Sequence, residues 1–487
     1  MPIDFYSWLA IATYILHWSL IVGLSARIIM RRRPVGVLLA WMALILSIPF
    51  LGILIYLVIG ESRIGDRYLK RARAIRDDYI QWMQWLKARA AVDWSLINPQ
   101  AMQLQRQAES LTGLPALQGN HTELLQDYAS VFDSLIEDIE HSTSTCHLEF
   151  YIWHNSGLAD EVLQAMLRAA VRGVTCRVLL DAVGSKPFLR SDSPRRLKAA
   201  GVQVACALPV GLFTTLATRA DLRNHRKLAI IDGEIAYTGS QNLVDPRCFK
   251  QNAGVGEWID AMLRIEGPAV EAIGGTFMFD WEIATGDGLE ALRGSHDVKH
   301  IPERGPVTLQ MVPSGPVPRP LAILQMILSM IYAARSELII TTPYFVPDES
   351  LLTALMSAAH RGVAVTLIVP AKNDSRLVDY ASSAVFDDLL AAGVRIAAFE
   401  EGLLHTKSIT VDGDLCLFGS VNMDIRSLWL NFEVSLIVYN RDLSARIRAL
   451  QMDYLDGSYF LDLKQWRQRS LPRRFAENAA HLLAPLL

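Results

Sequence analysis

The stretch from His225 to Asn242, HRKLAIIDGEIAYTGSQN, is written a second time from His405 to Asn422 as HTKSITVDGDLCLFGSVN. Seven positions coincide without a gap: His225/His405, Lys227/Lys407, Asp232/Asp412, Gly233/Gly413, Gly239/Gly419, Ser240/Ser420 and Asn242/Asn422. Two copies of one polar set, 180 residues apart, point to two half-sites that meet across a pseudo-twofold axis. Each half brings one imidazole, one ammonium, one hydroxyl and one amide. That inventory suits an enzyme that holds a phosphodiester while one histidine attacks and the other protonates the leaving oxygen. A single H-x-K-x4-D match is most often a surface strand and turn; two with identical spacing, each extended by G-S-x-N, are not.

The repeat runs well beyond the motif. His147 to Trp153 reads as a buried strand, Asp160 to Val171 as a helix and Cys176 to Asp181 as a second strand; Glu337 to Thr342, Glu349 to His360 and Ala364 to Val369 play the same parts later. The turns agree, Arg172-Gly173-Val174 with Arg361-Gly362-Val363, and Ala199-Ala200-Gly201-Val202 with Ala391-Ala392-Gly393-Val394. Parallel βαβ units imply helices over a largely buried sheet. Pro313 to Pro320, with four prolines and a glycine, marks the boundary between halves. One asymmetry stands out: Gly201 to His225 spans 24 residues, Gly393 to His405 only 12. The extra piece, around Pro209 to Arg219 with Leu212 and Phe213, reads as a lid, a lipid-contacting loop or a plain surface loop.

Ahead of the repeat, Phe5 to Ala26 and Val35 to Gly60 contain no Asp, Glu, Lys or Arg. Each exceeds the ~20 apolar residues needed to cross a hydrocarbon core as a helix. Trp8, Trp18, Trp41 and Tyr56 rim them, Arg27, Arg31 to Arg33 and Pro34 form the connector, and Pro49 is expected to kink the second span. No Lys or Arg precedes Phe5, which argues against a secretory signal. Arg63, Arg67, Lys70, Arg71, Arg73 and Arg76 follow the second span, against four arginines in the connector, so the count favours a cytoplasmic main domain. Asp66 to about Ala91 reads as a basic amphipathic helix that either meets anionic headgroups or packs on the main domain.

Net charge is −3, which gives no call for nucleic acid. The cysteines at 146, 176, 206, 248 and 416 are scattered and odd in number, fitting a reducing compartment rather than a disulfide framework or zinc site. His296 and His300 stand four apart with no third ligand in register and read as a solvated linker, so no metal and no cofactor is expected.

In each motif His and Lys, two apart on a strand, point to one face, while Asp points to the other, which favours an orienting or structural carboxylate. Lys227 and Lys407 supply charge to phosphoryl oxygens, Asn242 and Asn422 neutral donors, and Ser240 and Ser420 hydroxyls. Each histidine needs a carboxylate on its other nitrogen, and Asp260 and Glu433 follow the motifs.

These motifs, the repeat and the downstream acids resemble the phospholipase D superfamily over about Thr122 to Phe460, and with two N-terminal spans the chain resembles its bacterial cardiolipin synthases. The resemblance implies an α/β fold of two similar halves, each a mixed β-sheet flanked by helices, behind a two-helix transmembrane hairpin. The expected domains are residues 1–60 (spans), 61–120 (basic helix and linker), 121–312 and 313–487 (the halves). The implied reaction condenses two phosphatidylglycerol molecules into cardiolipin and glycerol through a phosphohistidine; water or another alcohol as acceptor, or nuclease activity, are the alternatives. The implied catalytic set is His225, Lys227, Asp232, His405, Lys407 and Asp412, with phosphate held by Ser240, Asn242, Ser420 and Asn422. Glu433 is expected beside His405, and Asp260, one methylene shorter, in the other half-site. His225 is expected to attack, kept neutral by the adjacent uncharged loop, with His405 as acid. Phosphatidylglycerol and other anionic phospholipids in a bacterial cytoplasmic membrane are the expected partners, with a multi-pass anchor; homo-oligomerisation is left open.

Overall fold

The computed structural model describes residues 5–30, 35–48, 50–60, 64–89, 92–97, 99–209, 219, 221–287, 299–317 and 319–482. Arg31 to Pro34, Pro49, Arg63, Leu212, Phe213 and His296 lie outside them, and with them the proposed lid and one partner of the His296/His300 pair. The chain divides into two compact units, Met1–Leu69 with Val210–Leu222, and Lys70–Pro209 with Arg223–Leu487.

In the first unit the helix Phe5–Met30 carries a 20-residue stretch, Ile11–Met30, long and apolar enough to cross a bilayer. The second apolar segment is two helices, Val35–Ser47 and Leu51–Ile59, rather than one kinked span. The break follows from Phe50, whose φ of 59° no helix interior accepts. Ile21, Ile28, Ile45, Ile53 and Tyr56 form a small shared core.

The second unit is built on one 15-stranded sheet. The first half supplies β1 (Leu117–Leu125), β2 (Thr145–Phe150), β3 (Thr175–Asp181), β4 (Gln203–Ala207), β5 (Leu228–Ile231), β6 (Ile235–Gly239), β7 (Trp258–Ile259) and β8 (Met262–Glu266). The second supplies β9 (Val307–Ser314), β10 (Glu337–Thr341), β11 (Phe345–Val346), β12 (Ala364–Pro370), β13 (Arg395–Phe399), β14 (Leu403–Leu404), β15 (Ser408–Val411), β16 (Leu415–Gly419), β17 (Met423–Asp424), β18 (Glu433–Val438) and β19 (Ser458–Phe460); β11 pairs with β17 and β14 with β7 outside the large sheet. The order β19-β13-β12-β10-β15-β16-β18-β9-β1-β8-β6-β5-β2-β3-β4 reads nearly the same from either edge, and β1 meets β9 antiparallel at its centre. β2, β3 and β4 run parallel, as do β10, β12 and β13, while the motif hairpins β5–β6 and β15–β16 are antiparallel. Each half is therefore mixed, as expected. Pro313 sits inside β9 opposite Val434, so the second half of the sheet starts earlier than the proline-rich stretch suggests.

Strand alternation sorts the core. Leu228 and Ile230 face a cluster shared by both halves with Ile273, Phe277, Val434 and Ile447, while Ala229 and Ile231 face the first half's own helices. The helix Arg76–Arg89 packs on this unit instead of presenting a free apolar face: Leu86 is buried and the Tyr79 ring lies 5.1 Å from Phe279. Trp82 rests against Gly275, where a Cβ would stand 2.3 Å from the indole. Arg71 caps the helix Ala269–Thr285 by donating to the carbonyls of Ile283, Ala284 and Thr285 at 2.7, 2.8 and 2.8 Å.

Candidate active site

Each motif ends its polar run where a strand begins. His225 and Lys227 lead into β5, His405 and Lys407 into β15, and G-S-x-N follows the ends of β6 and β16. The paired strands carry both motifs to one cavity of about 450 Å³, whose walls include His225, Asn242, His405 and Asn422.

The carboxylates come from the opposite halves. His225 Nδ1 lies 2.8 Å from Glu433 Oε2, and His405 Nδ1 lies 2.7 Å from Asp260 Oδ1. The expectation that Glu433 sits beside His405 is corrected by backbone pairing. β14, just before His405, runs parallel to β7, and His405 N donates to Ile259 O at 2.8 Å. Asn224 bridges Phe432 in the same sense, and His225 N donates to Phe432 O at 2.8 Å. Each histidine is thus laid alongside the segment that ends in the other half's acid. Arg226 steadies one of these, its Nε donating to Glu433 O at 3.1 Å while the guanidinium pairs with Asp280.

The serines support the carboxylates rather than the cavity. Ser420 Oγ donates to Glu433 Oε2 at 2.6 Å, and Ser240 Oγ accepts from Ala261 N at 3.1 Å beside Asp260. Both are fully buried and direct their hydroxyls to these contacts, where a place on the phosphate was expected of them. Asp232 and Asp412 do not reach the cavity either. Each has φ 52° and is followed by a positive-φ glycine, the Asp-Gly pair of a tight hairpin turn at the far end of the strand. Asp232 Oδ1 accepts from Ser144 N at 2.7 Å and Thr145 N at 2.9 Å; Asp412 Oδ1 accepts from Ser336 N at 2.8 Å and Glu337 N at 2.9 Å. These acids tie the hairpins to the starts of β2 and β10, which corrects their placement among the catalytic residues.

Burial sets the electrostatics. It pushes both imidazoles down to about 4, against the opposing pull of Glu433 on His225 and of Asp260 on His405. Burial likewise lowers Lys227 to about 8 and Lys407 to about 7. Burial alone would raise the two acids, but the histidines and lysines around them outweigh it, holding Asp260 at about 2 and Glu433 below the usual range. An ionised carboxylate can only accept, so each Nδ1 carries the proton and each Nε2 keeps its lone pair. Both histidines are lowered alike, and the loop expected to set them apart lies outside the described residues. Lys227 Nζ donates to His225 O at 2.7 Å, and Lys407 Nζ donates to His405 O.

Further groups in the cavity wall were not singled out from sequence: Tyr151, Arg223, Lys250, Tyr344, Asp424 and Arg426. Tyr151 stands edge-on to His225 at 4.9 Å and Tyr344 to His405 at 6.2 Å. Tyr151 follows β2 and Tyr344 follows its counterpart β10, so aligning the halves upstream of the motif exposes them. Lys250 pairs with Asp374 at 2.9 Å; nothing in the motif spacing signals it.

Two neutral imidazoles, two buried lysines and two amides supply the groups that transfer at phosphorus uses. Comparison with known proteins agrees. The family described as "Cardiolipin synthase, PLD-like domain" matches twice, over residues 135–261 and 327–452, and "Phospholipase D-nuclease N-terminal" matches residues 19–61. The chain is 45% identical to cardiolipin synthase A of Escherichia coli over 484 residues, 99% of this chain and 98% of that one. The same figures hold for cardiolipin synthase A of Salmonella arizonae. In fold it is similar to phosphatidylserine synthase of Haemophilus influenzae, with a TM-score of 0.59 and 16% identity over 79% of this chain and all of that one. The chain belongs to the cardiolipin synthase family of phospholipase D-like phosphatidyltransferases.

Proposed function

We propose that this enzyme transfers a phosphatidyl group from one phosphatidylglycerol to the glycerol hydroxyl of another, releasing glycerol and forming cardiolipin. The observation that carries the mechanism is the crossed pair of acid–histidine contacts, His225 with Glu433 and His405 with Asp260, on one cavity. Nε2 of one histidine attacks phosphorus, a P–N bond forms, and the P–O bond to glycerol breaks. The other histidine gives its proton to the departing glycerol oxygen. It then takes a proton from the hydroxyl of the second phosphatidylglycerol, whose oxygen displaces the imidazole. Lys227 and Lys407 offset the charge on the non-bridging oxygens, and Asn242 and Asn422 orient them.

With both imidazoles near 4 in the empty site, the acid must gain its proton with substrate. The anionic phosphodiester supplies the reason, because a negative charge beside a buried imidazole favours its charged form. Burial lowers both imidazoles alike, so the attack is assigned to neither one.

The same reading places the enzyme in a bacterial cytoplasmic membrane. Phe5–Met30 and the helix pair Val35–Ser47 and Leu51–Ile59 act as a multi-pass anchor, with the catalytic unit on the cytoplasmic side. Mass-spectrometric analysis of products from purified enzyme and phosphatidylglycerol alone tests the reaction. Cardiolipin and glycerol in equal amounts are expected; phosphatidic acid as the main product would replace transfer with hydrolysis.

A further inference from the structure

The helix Leu471–Leu482 packs on the protein with its charged side inward. Its buried side chains are Glu477 and Ala480. Glu477 is fully enclosed, with Arg473 at 2.9 Å and Arg469 at 3.0 Å from its carboxylate. Leu471, Phe475 and Leu482 face away, exposed by 76, 76 and 80%. At about 100° per residue these three fall within roughly 40° of one another, and exposed Arg474 lies beside the stripe. An amphipathic helix on a water-soluble surface does the reverse.

The helix also has a telling position. Ala480 packs with Val346 and Ala381, with Val378 against them, and Val346 and Val378 line the catalytic cavity. The helix Arg376–Ala391, on which it rests, adds exposed Leu377 and Tyr380. The helix that carries the apolar stripe therefore packs, through its opposite face, on residues that line the cavity.

We propose that helix Leu471–Leu482 lies in the interfacial layer of a bilayer carrying anionic phospholipid, with Leu471, Phe475 and Leu482 among the acyl chains, so that the cavity opens at the lipid surface. Arg474 meets the headgroup phosphates, the charge complementarity that an interfacial helix uses. Three side chains fall well short of the ~800 Å² per partner that a stable protein interface needs, which disfavours a second copy as the occupant. The proposal rests on the reading that the substrate is a bilayer phospholipid.

Full-length enzyme in vesicles of phosphatidylglycerol and phosphatidylcholine provides the test. The double variant Leu471→Asp/Phe475→Asp should raise the apparent KM for vesicle phosphatidylglycerol about tenfold, with kcat unchanged and with parental turnover of short-chain phosphatidylglycerol dispersed in detergent. Independently, phosphatidylcholine bearing an acyl-chain diazirine should label the 471–482 peptide of the unaltered enzyme. An unlabelled peptide, an unchanged KM in vesicles, or cross-links from the stripe to a second copy would each overturn the proposal. Photolabelling needs no turnover, so it decides the matter even if the parent enzyme makes no cardiolipin.

Discussion

His225 Nδ1 lies 2.8 Å from Glu433 Oε2, and the two residues are 208 positions apart in different halves of the chain. With His405 and Asp260 at 2.7 Å, neither half holds a complete acid–histidine pair of its own.

Glu433→Gln should therefore act on His225. Loss of the carboxylate removes the interaction that opposes burial, so the His225 imidazole should titrate lower still while His405 keeps its value. By analogy with other histidine–carboxylate pairs, kcat should drop by roughly two to four orders of magnitude. Nitrogen-detected NMR titration of histidine side chains checks the assignment; movement of His405 instead would restore pairing within each half.

His225→Ala and His405→Ala should each abolish turnover, and the double variant should be no worse than either, because the residues act as a unit. Retention of more than about a tenth of parental kcat, a loss of only ~1.4 kcal/mol, in either single variant would refute the shared site.

The pH profile should have limbs set by burial. Lys407 and Lys227 are lowered to about 7 and about 8, so they become neutral as pH rises through that range. Because they titrate in one pocket, kcat/KM should fall above pH 7 to 8 with apparent values belonging to the pair. Bound phosphodiester favours the ammonium form, so the alkaline limb of kcat should lie higher than that of kcat/KM. On the acid side, kcat/KM should fall as the imidazoles protonate at about 4. Steady-state rates from pH 3.5 to 9.5 test both limbs; coincident alkaline limbs would mean that the lysines do not meet the substrate.

Asp232→Ala should destabilise the fold without touching the chemistry, since its carboxylate accepts from Ser144 and Thr145 at the far end of the hairpin. A loss of about 2–3 kcal/mol is expected for unpairing these charge-assisted bonds. Burial would raise this acid, but the backbone donors outweigh it and hold it below its usual value. A depressed carboxylate contributes stability above its unfolded pKa and loses it as pH falls through the folded one. The parent should therefore lose this contribution below about pH 4, and the variant should show less acid sensitivity. Thermal unfolding against pH, with kcat measured on the folded fraction, separates this role from a catalytic one.

Local pattern carried much of the architecture. Helix Glu349–His360 falls on the residues that hydrophobic periodicity marks out, and the strands before and after it differ from expectation by a residue at one end. Period-two alternation and the repeated turns encode such elements directly, because each depends on neighbours within a few positions. In the second apolar segment Pro49 signals an interruption, while the split into two helices follows from the positive φ of Phe50 beside it.

The doubled motif by itself pointed to two half-sites, each with a histidine and a lysine on one face of a strand, and both histidines and both asparagines line one cavity. Only tertiary structure decided which acid serves which histidine. That choice rests on β7 beside β14 and Asn224 beside Phe432, pairings between segments remote in sequence and from different halves. It also decided that Ser420 serves Glu433, that Asp412 fastens a turn, and that Arg223, Arg426 and Lys250 reach the cavity wall. A sequence lists the polar groups a site can draw on; the register between distant strands assigns each its partner.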